Sequence, residues 1–127
     1  MTEAADTSWV AIVEDDAQVQ KALGRLLRAW SFNAVGFSSG EAFLRALGDV
    51  LPLAVVLDLQ MPTMSGLEVQ LALAQGGQDV PVVIITAHDD PAMRARCLAA
   101  GAVAFLRKPI EDGALLAAVR RAVQRGA

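Results

Sequence analysis

The stretch Leu53-Ala54-Val55-Val56-Leu57-Asp58 is an aliphatic run that stops on a carboxylate. It lacks the apolar–polar alternation of a half-solvated strand, and a continuous apolar run of this length reads as a strand covered on both faces. Val82-Val83-Ile84-Ile85 repeats the pattern and stops on Thr86. These two, expected as strands over Ala54 to Leu59 and Val82 to Thr86, would form the centre of a sheet. Further strands are expected over Trp9 to Val13, Ala34 to Phe37 and Val103 to Leu106, and a helical pattern follows each strand. Strands alternating with helices define an α/β fold, a parallel sheet with helices on its faces.

The helices are read from apolar residues recurring at three and four positions. Val19, Leu23, Leu26, Leu27 and Trp30 form one stripe, and Leu115, Leu116, Val119 and Val123 another. Lys21, Arg25 and Arg28 fall on the solvated side of the first helix, and Arg120, Arg121 and Arg125 read as a solvated helix end favoured by the dipole. Asp90-Pro91 is a cap followed by a first-turn proline, and Gly101 is the stop of the same helix. Gly113 leaves the start of the last helix open. Trp9, Trp30 and Cys97, which lies four residues after Met93, read as packing.

The chain has 127 residues, 54% of them hydrophobic and 20% charged, with 11 Lys+Arg against 14 Asp+Glu and a net charge of −3. That is one globular domain, expected over residues 9–127, preceded by a flexible arm over residues 1–8. Its apolar runs fall far short of the ~20 residues of a membrane-spanning helix. Met1 to Ser8 carries Glu3 and Asp6 where a secretory peptide would carry Lys or Arg, and the single cysteine can form no internal disulfide. A reducing, cytoplasmic setting is the expectation. The sequence pI of about 5.0 argues against this domain gripping nucleic acid by itself.

Ligands of open α/β sheets bind beyond the carboxyl ends of the strands. Here the strands end in Glu14-Asp15-Asp16, Asp58, Thr86 and Arg107-Lys108-Pro109. If the first, third and fifth strands are neighbours, their tips gather carboxylates around one ammonium group. Clustered carboxylates repel, and a hard divalent cation such as Mg²⁺ relieves them. A carboxylate beside Mg²⁺, with a lysine and a hydroxyl at hand, is equipped to attack a phosphoryl group. Taken singly, the same residues have plainer readings: Asp16 as a helix cap, Asp58 as a turn former, Thr86 as a strand end, Lys108 as a surface cation.

Ile12-Val13-Glu14-Asp15-Asp16, Leu57-Asp58-Leu59-Gln60-Met61-Pro62, Ser65-Gly66, Ile85-Thr86-Ala87, Gly101-Ala102 and Lys108-Pro109 occur in that order. Together they resemble the receiver domain of two-component response regulators, from Trp9 to Gln124. The resemblance implies a flavodoxin-like (βα)5 fold, a doubly wound five-stranded parallel sheet of order 2-1-3-4-5. It makes Asp58 the acceptor of a phosphoryl group from a sensor histidine kinase or phosphotransfer protein. Asp15 and Asp58 would ligate Mg²⁺, or Mn²⁺ as its substitute, through their side chains, Gln60 through its backbone carbonyl and Glu14 through water. Lys108, on a cis bond to Pro109, and Thr86 would hold the phosphoryl oxygens. Thr86 and Phe105 would form the switch, and Gln60 and His88 would set the lifetime of the phosphorylated state. The fourth helix, fifth strand and fifth helix, roughly Pro91 to Arg125, would be read out by a homodimer or by a C-terminal DNA-binding domain of LuxR type. The chain would then be no enzyme beyond its own phosphorylation and dephosphorylation.

Three other readings compete. A haloacid-dehalogenase-type phosphohydrolase would carry a second aspartate two residues after the nucleophile, where this chain has Gln60. A flavodoxin-like electron carrier would need a phosphate-binding loop after the first strand, and Glu14-Asp15-Asp16 would repel the FMN phosphate. A degenerate receiver would serve only as a docking module.

Overall fold

The computed structural model describes residues 8–126; the arm expected over residues 1–8 lies outside the described residues except for Ser8. Strands β1 (Val10–Val13), β2 (Ala34–Phe37), β3 (Ala54–Asp58), β4 (Val82–Thr86) and β5 (Ala104–Arg107) alternate with helices α1 (Ala17–Ala29), α2 (Gly40–Ala46), α3 (Gly66–Gln75), α4 (Pro91–Ala99) and α5 (Asp112–Gly126). Every strand pair is parallel and the order is β2-β1-β3-β4-β5. This is the doubly wound fold expected from the sequence.

The strand boundaries need small corrections. β1 begins one residue after Trp9, β3 stops at Asp58 rather than Leu59, and β5 is displaced by one residue to end on Arg107. The ladders fade rather than stop. Leu53 N–H donates to Trp9 C=O at 2.7 Å, and Leu59 N–H to Ile85 C=O at 2.9 Å, both outside the strands proper. Apolar content continues through such positions, so it does not mark where pairing closes.

Successive strand residues point to opposite faces. Val10, Ile12, Val56, Val83 and Ile85 pack with Leu23 and Leu27 of α1 and Leu115 and Val119 of α5. Ala11, Val13, Val55, Leu57 and Ile84 pack with Phe43 of α2, Val69 and Leu73 of α3 and Cys97 of α4. β1, β3 and β4 are buried throughout, which is why their sequences are continuously apolar.

The caps fall where short polar side chains precede apolar stripes. Asp16 accepts from Gln18 and Val19 N–H, Ser65 and Glu68 form a capping box, and Asp90 caps α4 ahead of Pro91. Gly101, at φ +105°, supplies the left-handed residue that ends α4. Two arginines are more than solvated surface: Arg28 donates to Ala34 C=O at 3.1 Å, and Arg121 donates to Val103 C=O. Among the described residues no helix is long and apolar enough to cross a membrane.

Candidate functional site

Glu14, Asp58 and Lys108 each stand two positions beyond an inward residue of the α1/α5 face, namely Ile12, Val56 and Leu106. Period two therefore carries all three onto the same side of the sheet at its carboxyl end. Lys108 Nζ donates to Glu14 Oε1 at 2.7 Å and lies 3.5 Å from Asp58 Oδ1. Glu14 is 1% exposed and Asp58 3%. Carboxylate oxygens of Glu14, Asp15 and Asp58 lie within 4.8 Å of one another, with Asp15 facing solvent. Three hard oxygen donors at one open edge suit Mg²⁺.

Burial, reinforced by the negative charge of Glu14 and only partly offset by Lys108, pushes the Asp58 carboxyl up to about 7. Burial pulls the Lys108 ammonium down, but its hydrogen bond to Glu14 and the charges of Asp58 and Glu14 outweigh this and hold it above its ordinary value. One proton or one cation beyond Lys108 would thus be welcome at Asp58. The second oxygen of Glu14 accepts from Asp16 N–H at 3.1 Å, so both oxygens of this buried carboxylate are engaged.

The backbone around Asp58 depends on Gly66. A Cβ there would sit 2.7 Å from Asp58 C=O and 3.0 Å from Leu59 Cα. Only glycine lets the first turn of α3 rest on the end of β3. Gln60 N–H reaches back to Asp58 Oδ1 at 3.4 Å.

Thr86 and Phe105 lie on the opposite side, following Ile84 and its cross-strand partner in register. The buried Thr86 hydroxyl faces the β4–α4 loop: it accepts from His88 N–H and lies within donating distance of His88 C=O, both at 3.1 Å. Gln60 Oε1, at 3.5 Å, is a weaker alternative acceptor. Phe105 is half-buried, with the Arg94 guanidinium 5.2 Å above its ring and Arg94 also paired to Asp89 at 3.0 Å. Gln60 and His88 are exposed and line one groove between α3 and α4. The Lys108–Pro109 bond is cis.

The structure thus brings Glu14, Asp15, Asp58 and Lys108 together, sets Thr86 beside them with its hydroxyl turned away, and leaves Phe105 at the margin. Asp16 stays outside the cluster as a cap. Sequence reasoning missed Arg94 over Phe105 and Gln20, whose Nε2 donates to Glu14 C=O at 3.0 Å. Nothing in the local pattern marks either residue.

The fold and the acidic crevice define a doubly wound α/β domain that presents carboxylates and a lysine at the switch point of its sheet. Residues 10–120 match the family model described as response regulator receiver domain, and the chain belongs to that family, the receivers of two-component systems. Response regulator protein TmoT of Ectopseudomonas mendocina is 39% identical over 117 residues, which are 92% of this chain and 53% of that protein. Transcriptional regulatory protein FixJ of Rhizobium meliloti (strain 1021) is 39% identical over 113 residues, covering 89% of this chain and 55% of its own length. The chain therefore spans about half the length of these curated relatives. Among solved structures, a response regulator receiver protein from Burkholderia phymatum superposes with a TM-score of 0.80 at 44% identity, covering 92% of this chain and 95% of that one.

Proposed function

We propose that the chain is a phosphorylation-operated switch in which Asp58 accepts a phosphoryl group from the phosphohistidine of a sensor kinase or phosphotransfer protein. The observation that carries this reading is the convergence of three carboxylates and one ammonium on a single crevice. Asp15, Asp58 and the Gln60 carbonyl would hold Mg²⁺, or Mn²⁺ in its place, with Glu14 acting through water. The bound cation would neutralise charge on the transferring phosphoryl group. An ionised Asp58 oxygen forms its bond to phosphorus as the donor's nitrogen–phosphorus bond breaks. Lys108 then exchanges Glu14 for the phosphoryl oxygens, and the Thr86 hydroxyl leaves the His88 backbone to donate to them.

Turning Thr86 vacates space on the α4 side, where Phe105 can follow by packing alone, since it has no hydroxyl to hydrogen-bond. That motion separates Phe105 from Arg94 and reshapes the face made by α4, β5 and α5. We assign readout to this face, through a homodimer or through a DNA-binding output domain, a role in keeping with the relative FixJ being a transcriptional regulatory protein. Gln60 and His88 would control access of water to the acyl phosphate. On this reading the domain is cytoplasmic, and its catalysis is confined to gaining and losing its own phosphoryl group.

Intact-protein mass spectrometry after incubation with acetyl phosphate and Mg²⁺ tests the reading. Wild type is expected to gain one phosphoryl group, and to gain none with chelator or as Asp58→Asn. Wild-type incorporation in Asp58→Asn would overturn the assignment of the acceptor.

A further inference from the structure

The ladder between β1 and β2 ends with Glu14 N–H donating to Phe37 C=O at 3.0 Å, and β2 goes no further. Glu14 C=O therefore has no strand partner, although the residue is 1% exposed. An unpaired buried carbonyl is costly. Gln20, in the second turn of α1, fills the gap with its Nε2 at 3.0 Å.

The Gln20 side chain that makes this bond lies over Gly36 of the edge strand. A Cβ on Gly36 would sit 2.7 Å from Gln20 Cδ and 3.0 Å from Gln20 Cγ. Glycine weakens a strand interior and is found where another group approaches closely. Here the approaching group is the carboxamide that ties down the chain between β1 and α1. That loop carries Glu14 and Asp15, two of the three clustered carboxylates.

We infer that Gln20 is a positioning residue for cation binding, holding the Glu14-Asp15 loop through the Glu14 carbonyl, and that Gly36 is glycine so that Gln20 can lie across β2. Gln20 touches neither a carboxylate oxygen nor the phosphoryl path. It acts by fixing the backbone from which both carboxylates spring, as outer groups do for metal ligands generally. The inference rests on the proposed reading of the acidic cluster as a Mg²⁺ site.

Isothermal titration of the chain with MgCl₂ tests it, on wild type, Gln20→Met, Gly36→Ala and the double variant. Methionine keeps the length and bulk of glutamine and removes the donor. Gln20→Met is expected to weaken Mg²⁺ binding by about tenfold and, because the Glu14 carbonyl loses its donor, to lower the melting temperature without Mg²⁺ by about a few degrees. It should also raise the Mg²⁺ needed for half-maximal phosphorylation by acetyl phosphate and leave the rate at saturating Mg²⁺ unchanged, a split that general loosening of the fold would not produce. Gly36→Ala displaces the carboxamide and should weaken binding similarly, and the double variant should be no worse than either single one. Wild-type affinity in Gln20→Met would overturn the inference. Additive losses in the double variant would overturn the role given to Gly36. A wild type with no saturable Mg²⁺ binding would overturn the reading of the cluster itself, and the brace with it.

Discussion

The two helices that flank β4 and β5 are anchored very differently. α5 buries Leu115, Ala118, Val119 and Ala122 against one face of the sheet, whereas α4 buries only Cys97 against the other and leaves Leu98 45% exposed. The charged cluster of Glu14, Asp58 and Lys108 is on the α5 side, and Thr86 and Phe105 are on the α4 side. Electrostatic chemistry needs groups held in place, while a switch needs an element that can move at small cost. The chain satisfies both by dividing them between the two faces.

Core truncation should expose the difference most strongly. Leu115→Ala in α5 is expected to cost about 2–5 kcal/mol, and Leu98→Ala in α4 to stay within about 0.5 kcal/mol, both measured by urea denaturation. Equal losses would break the contrast. Gly66→Ala comes next, at about 1–3 kcal/mol, because the added methyl meets backbone rather than a flexible side chain. It should also slow phosphorylation by acetyl phosphate, since the backbone that must yield is that of Asp58.

A smaller effect, with a definite sign, comes from Asp58. Its carboxyl is held at about 7 against an ordinary 3.8, so the folded chain binds this proton more tightly than the unfolded chain. Ionising Asp58 therefore costs stability. The cost is absent below the ordinary value, grows between the two values and is complete above the folded one. Without Mg²⁺, Asp58→Asn should be more stable than wild type at pH 8, by at least about 1 kcal/mol, and show no such gain at pH 4. Saturating Mg²⁺ should stabilise wild type at pH 8 in the same way. Thermal melts at the two pH values check both; a gain in Asp58→Asn that persists at pH 4 would place its origin in packing.

The smallest effect sharpens the switch side. Arg94 lies over Phe105 and pairs with Asp89 at an exposed position. Arg94→Ala should cost less than about 1 kcal/mol, yet speed amide hydrogen exchange in α4 while leaving α5 unchanged. Exchange rising equally in both helices would mean that the two faces are not independent.

The strands and the tip residues Glu14, Asp15, Asp58, Thr86 and Lys108 were legible because buried parallel strands are written as aliphatic runs and their tips as abrupt changes to polar residues, whereas the strand order was implied only by the resemblance to receiver domains. Asp16 was legible as a cap for the same local reason, an acid just before an apolar helical stripe. Arg28 and Arg121 are exposed, as read, but their bonds to the carbonyls of Ala34 in β2 and of Val103 just before β5 left no local mark, because folding alone brings those carbonyls within reach. Gln20 and Arg94 left no signal, since what matters about them is the carbonyl or ring they reach and not any pattern around them.

Sequence by itself determined that the chain alternates strands and helices, that its strands end in acids, a threonine and a lysine, and that these residue types suit a cation and a phosphoryl group. Periodicity and chemical type are local properties, and local properties can be read along a chain. Which side of the sheet each tip residue occupies was decided only in three dimensions. Strands apolar on both faces carry no mark of inside and outside, so only the packing of α1 and α5 against one face, and of α2, α3 and α4 against the other, separates Asp58 and Lys108 from Thr86 and Phe105.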